Sequence, residues 1–261
     1  MPCPRIALWL LAAGLTVAPG LAGHAQSAPT PPIPVLVELF TSEGCSSCPP
    51  ADALLSRLAS TQPVPGVLVI ALGEHVDYWN GPGWSDPFSS HALTARQDDY
   101  AGFFHNDTVY TSQMIVDGRT EFNGSDEERA LAAIAHASRA PLAQVEVSRG
   151  LSPGSNETAV TITVRGLPRV TPGDAADVWM AVTEDGLRSD ITGGENRGRR
   201  LTHVAVVRTL RRVGTALPGH DWSAQASVPL PPAPPGAATH LVAFVQERAS
   251  RRVLGLGMTS L

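Results

Sequence analysis

The chain has 261 residues, of which 43% are hydrophobic and 16% charged, a balance that suits a folded globular protein and excludes a disordered one. Its formal charge is −5 and all 19 basic residues are arginine. There is no basic surplus to neutralise phosphates, so nucleic acid is not an expected partner, and no lysine chemistry is available.

Residues 1–25 read as an export signal. Arg5 precedes an apolar stretch from Ile6 to Ala18, and Gly23-His24-Ala25 offers small residues for cleavage. The stretch is short and broken by Pro19 and Gly20, so no stable membrane span is expected after cleavage. Cys3 would leave with the signal. The mature chain would then hold Cys45 and Cys48 alone, in a periplasmic or secreted setting where a dithiol can cycle or stay bridged. Residues 26–34 form a Pro-rich lead-in.

Val35 to Phe40 is apolar on both faces, as in a central buried strand. After a loop and the pair Cys45–Cys48, residues 51–59 have helical spacing, with Leu54, Leu55 and Leu58 on one face. Val67 to Leu72 is a second buried strand. The βαβ order predicts that the two strands are parallel. Residues 73–108 form an insertion, with a helix expected over about 90–103. Gln113 to Val116 and Thr120 to Phe122 read as strands joined by an Asp117-Gly118 hairpin turn. Ser125 is the expected cap of a helix, with Glu128 as its capping-box partner. From 141 to 261 the apolar pattern changes to period two, including one strand over His203 to Leu210. The expected architecture is therefore an α/β domain over 35–140 and a smaller all-β, sandwich-like domain over 141–261.

A Cys-x-x-Cys between a strand and a helix is the strongest chemical signal. The spacing lets the two sulfurs join and part without unfolding. A helix N-terminus favours thiolate through its partial positive charge and free N–H groups. Cys45, expected to be the exposed one, would attack, and Cys48 would resolve the mixed disulfide. Pro49 and Pro50 lack N–H groups, which moves the helix start toward Cys48 and weakens its field at Cys45.

Other residues fall where they could serve this pair. Glu38, in the first strand, is a candidate proton acceptor if buried. His75 ends the second strand, where ligands of open α/β sheets sit, and could tune Cys45 or join a metal site. Tyr78 and Trp79 are candidates for a client surface. Thr111 and Ser112 offer backbone groups to an extended client chain. Arg197 or Arg199, in the Gly/Arg loop at 193–201, could stabilise a thiolate if that loop folds over the pair.

The segments ELFTSEGCSSCPPAD, HVDYWN, ARQDDY, YTSQMIVDG and GENRGRRL, in that order, resemble an exported bacterial thioredoxin-like family catalogued as domain of unknown function 1223. The resemblance covers about residues 34–250. It implies an α/β thioredoxin-like fold followed by the smaller β-rich part, with the redox cysteines at Cys45 and Cys48 and the buried acid of thioredoxin at Glu38, one residue further from the pair. Thioredoxins carry a cis-proline where this chain has Ser112. A cis bond there costs about 2.5–4 kcal/mol without proline, so Thr111–Ser112 is expected to be trans or strained. The expected activity is thiol–disulfide exchange with protein clients or a redox donor, without a cofactor. The alternatives are copper or zinc delivery through Cys45, Cys48 and His75, and a non-enzymatic binding module with a structural disulfide.

Overall fold

The computed structural model describes Met1 and residues 31–81, 83–150, 157–229 and 237–261. Apart from Met1, the expected signal peptide lies outside the described residues, as does most of the lead-in. Among the described residues, no helix is long and apolar enough to cross a membrane. In chain order the elements begin with β1 (Ile33–Thr41), α1 (Pro49–Thr61), β2 (Val67–His75), α2 (His91–Phe104), β3 (Gln113–Val116), β4 (Thr120–Asn123) and α3 (Glu127–Ala137). Strands alone follow: β5 (Gln144–Arg149), β6 (Glu157–Arg165), β7 (Ala176–Glu184), β8 (Leu187–Asp190) and β9 (Arg200–His203). The last four are β10 (Val206–Ala216), β11 (Trp222–Pro229), β12 (Thr239–Glu247) and β13 (Val253–Ser260).

β1 has apolar side chains on both faces because both faces are covered. Val35, Val37 and Leu39 pack with Ala51, Leu54, Leu55 and Leu58 of α1 and with Ala130 and Ile134 of α3. The alternate residues Leu36 and Phe40 face α2, meeting the clusters of Leu93 and Tyr100. β1 and β2 run parallel in register from Ile33↔Val67 to Thr41↔His75. β3 is antiparallel to β1 and turns into β4 at Asp117 (φ 54°) and Gly118 (φ 69°), the left-handed pair a tight hairpin needs. α3 starts one residue later than the sequence suggests. Asp126 is its cap, accepting from the Arg129 N–H, while Ser125 bonds to Asn123.

The structure overturns the expected arrangement of an α/β thioredoxin-like fold followed by a separate all-β domain. The chain builds one eight-stranded mixed sheet in the order β13-β12-β7-β10-β2-β1-β3-β4. β10 pairs with β2 at Val206↔Gly73, and the Gly73 N–H donates to the Ala205 carbonyl at 2.8 Å. The physical reason is that an apolar strand such as β2 must satisfy both backbone edges. Its pattern shows that it is buried but carries no record of which strand fills its outer edge. A three-stranded sheet, β11-β6-β5, then packs over β7, β12 and β13. The expected strand over 203–210 is broken at Ala205, whose φ is 50°. β9 ends on one side of that kink and β10 begins on the other.

A buried polar network ties the early and late parts of the chain. The Glu38 carboxylate accepts from Arg96 Nε at 2.7 Å and from the Tyr100 hydroxyl at 2.6 Å. Gln246 of β12 donates to the Tyr100 oxygen at 2.8 Å. The Arg96 guanidinium also lies 5.1–5.3 Å from the ring centres of Tyr100, Trp179 and Phe244. A chain ending at Ala140 exposes the β2 edge and strips Arg96 of Gln246, Trp179 and Phe244. It is expected to show no cooperative urea transition by circular dichroism. A monomeric fragment that unfolds cooperatively would show that the two halves fold independently.

Candidate functional site

The end of β1 delivers the chain to Cys45, and the start of α1 receives it at Cys48. The two cysteines are joined by a disulfide with their Cα atoms 5.5 Å apart, within the usual span for a bridged pair. Cys48 is the helix cap, and Pro49 and Pro50 fill the first helical positions. The next amides, of Ala51 and Asp52, both donate to the Cys48 carbonyl. The helix start therefore presents no free N–H to the sulfurs, unlike the sequence-level picture. The polar contact to Cys45 Sγ is the Ser47 hydroxyl at 3.3 Å.

Cys45 was expected to be exposed, and the structure corrects this: both cysteines are 0% exposed. The cover comes from far along the chain. Asn196, in the loop between β8 and β9, donates through Nδ2 to the Glu43 carbonyl at 2.8 Å and the Cys45 carbonyl at 2.9 Å. The neighbouring Glu195 carboxylate accepts from the Ser46 N–H at 3.0 Å. This loop abuts the segment after β2 so closely that a Cβ on Gly193 would lie 1.7 Å from the Gly83 carbonyl oxygen. Only glycine permits that approach. The Gly/Arg loop does fold over the pair, but Glu195 and Asn196 make the contacts, not Arg197 or Arg199.

Beneath the cover lies a set of buried acids and histidines. His75 Nδ1 and Asp86 Oδ2 are 2.7 Å apart. His203 Nε2 donates to Glu43 Oε1 at 3.1 Å, and Trp84 Nε1 donates to Glu43 Oε2 at 3.1 Å. The His75 and His203 rings meet edge to face at 4.8 Å. Burial alone would lower the His75 pKa, but the bond to Asp86 and the charges of Asp86, Asp52 and Glu43 raise it above its ordinary value. Burial would raise Asp86, yet His75 and the N–H groups of Glu43 and Phe88 hold it low. Asp52, one helical turn beyond Cys48, is raised by burial against the pull of His203 and His75. It lines a cavity of about 10 Å³ with His75 and His203, room for roughly one water.

The structure brings some of the sequence candidates to the pair and not others. Glu38 lies on the α2 face of the sheet, opposite α1, held by Arg96 and Tyr100, so it does not reach the disulfide. His75 is on the α1 face, engaged by Asp86. Trp79 packs beside Gly44 and donates to the Thr111 hydroxyl at 2.7 Å. Tyr78 and Trp79 are 41% and 37% exposed. Ser112 is buried near Ala51, across Gly124. The Thr111–Ser112 bond, expected to be trans or strained, is cis. Asp52, Asp86, Glu43, His203 and Asn196 are the residues the sequence reading missed. The signal for Asp52 was its place four residues after Cys48, on the same helix face; the others are set by long-range contacts.

The family model described as "Protein of unknown function (DUF1223)" matches residues 36–246. This chain belongs to the DUF1223 family. No match is found among the curated proteins. Among solved structures, the chain is similar to a structural genomics target protein from Agrobacterium tumefaciens, at 24% identity and a TM-score of 0.63, covering 88% of this chain and 95% of that one. It is also similar to HBP35 of Porphyromonas gingivalis, at 14% identity and a TM-score of 0.62, covering 90% and 77%. Both likenesses concern the fold.

Two outcomes follow for this DUF1223 protein. Asn196→Ala leaves the buried Glu43 carbonyl without its side-chain donor and the Cys45 carbonyl with the Cys48 N–H alone, so it should cost about 1–3 kcal/mol in urea unfolding and speed reduction of the disulfide by dithiothreitol. His75, raised by Asp86, stabilises the fold fully below its ordinary pKa near 6.5, and that contribution is lost as pH rises through its higher native value. The Tm of the wild type should therefore fall with pH above 6.5 more steeply than that of Asp86→Asn, measured by scanning calorimetry.

Proposed function

We propose that this protein is an exported thiol–disulfide oxidoreductase whose Cys45–Cys48 couple is reached when the loop at 191–199 lifts. The observation that carries the reading is a disulfide at the start of α1, beneath a cover that two side chains hold. Exposed Tyr78 and Trp79, with Thr111 beside them, supply an apolar and hydrogen-bonding surface for a client chain at the same edge.

In the oxidising direction a client thiolate attacks Cys45 Sγ. The Cys45–Cys48 bond breaks, and Cys48 leaves with the electron pair as a thiolate. A second client thiolate attacks the client sulfur of the mixed disulfide, forming the client disulfide and releasing Cys45 as thiolate. Two electrons pass from client to protein. Asp52, one turn beyond Cys48 and raised by burial, is the acid assigned to the proton exchange with the Cys48 sulfur, and Cys45 takes a proton from solvent. The reverse sequence makes Cys45 the attacking thiolate and Cys48 the resolver. The proton role first assigned to Glu38 passes to Asp52 in this scheme, because Glu38 faces away.

A second reading, a binding protein with a structural disulfide, draws on the complete burial of both sulfurs. The metal-delivery alternative gains nothing from the geometry: His75 Nδ1 is taken by Asp86, and no three His, Cys, Asp or Glu side chains group to hold a metal among the described residues. The redox reading expects a reduction potential above about −300 mV against glutathione. It also expects Cys48→Ser, but not Cys45→Ser, to form a mixed disulfide with scrambled ribonuclease, visible on a non-reducing gel. A lower potential with no trapped species would support the structural disulfide.

A further inference from the structure

A second cleft lies away from the disulfide. It measures about 420 Å³, within the usual size of small-ligand sites, and sits between the C-terminal end of α3 and the β3–β4 turn. The turn is anchored beside β1 at Leu36, whose carbonyl accepts from the Asp117 N–H. Five residues of strand, roughly 16 Å, separate that point from Thr41 at the disulfide end.

The lining has two chemistries. One wall is apolar, made by Val116, Ala133, Ala137 and Ala140. The other carries Arg119, Arg139 and Arg252 with His136, against the single acid Asp117. This is a local positive excess in a chain of net charge −5. Arg119 and Arg139 are exposed, and among the described residues their guanidiniums have no hydrogen bond or salt bridge. Arg252 is partly engaged, donating to the Arg169 carbonyl at 3.1 Å and lying 3.6 Å from Glu247.

Two details keep this charge available. The Asp117 carboxyl is pushed up to about 8, by burial first and by Glu38 next, against Arg252 and Arg119. At neutral pH it mostly carries a proton and leaves the arginines uncancelled. The last carbonyls of α3 would repel an anion, but Ile134, His136 and Ala137 accept from the N–H groups of Ser138, Arg139 and Ala140.

We propose that this cleft binds a small organic acid, with its carboxylate on the Arg119 and Arg139 guanidiniums and a short apolar body along the alanine wall. A guanidinium fork matches a carboxylate with two parallel N–H bonds. The apolar wall selects against an anion without a hydrocarbon part, such as inorganic phosphate.

The test is calorimetric titration of the full chain with sodium hexanoate, 1-hexanol and sodium phosphate. Saturable binding of hexanoate is expected, weakened at least tenfold in Arg119→Gln/Arg139→Gln, with no saturable binding of hexanol. Failure of the wild type to bind hexanoate, undiminished binding by the double variant, or tighter binding of phosphate would each overturn the proposal. Both arginines are exposed and their guanidiniums make no hydrogen bond or salt bridge among the described residues, so the variant should keep the wild-type Tm. If it does not, amide shifts of the wild type under hexanoate decide: shifts centred on 116–120 and 133–140 support the site, and their absence there refutes it.

Discussion

Gly73 of β2 donates its N–H to the Ala205 carbonyl, and at that junction the late strands join the early ones. The approach is close: a Cβ on Gly73 would lie 3.0 Å from the Val204 carbonyl oxygen. Immediately before this contact the chain kinks at Ala205, which turns His203 back toward Glu43 and His75. The β8–β9 ribbon that precedes it carries Asn196 and Glu195 to the disulfide. Without the pairing of β10 with β2, the cover over Cys45 and the His203 ring beneath it would have no fixed position.

That polar set is a design of specificity more than of stability. Buried charged and hydrogen-bonded groups lose hydration that their partners only partly restore, so they favour one arrangement over its competitors. Glu38, Arg96, Tyr100 and Gln246 register α2 and β12 on opposite sides of the chain's midpoint. His75, Asp86, Glu43 and His203 do the same for the loops around the disulfide. The sulfurs sit where a loop held by a few hydrogen bonds decides access, and the energy of those bonds is modest.

The two ends of β1 differ in character. At the disulfide end, acids, histidines and exposed tryptophan and tyrosine gather. At the far end, arginines line a cleft with an alanine wall. A single strand connects them, but each end is assembled from elements distant in sequence.

Much of the local structure was legible in the chain. Apolar positions in β1, the leucines of α1, and Asp117-Gly118 determined strand, helix and turn, because period and backbone conformation are properties of neighbouring residues. The Cys-x-x-Cys spacing likewise determined that the two sulfurs could join. Only the tertiary structure decided that β10 fills the β2 edge, that Glu38 turns toward α2, and that Asn196 seals Cys45. A backbone edge accepts any strand of suitable shape, and a buried acid accepts any donor within reach. Their partners lie up to 151 residues away, and no local pattern records such a choice.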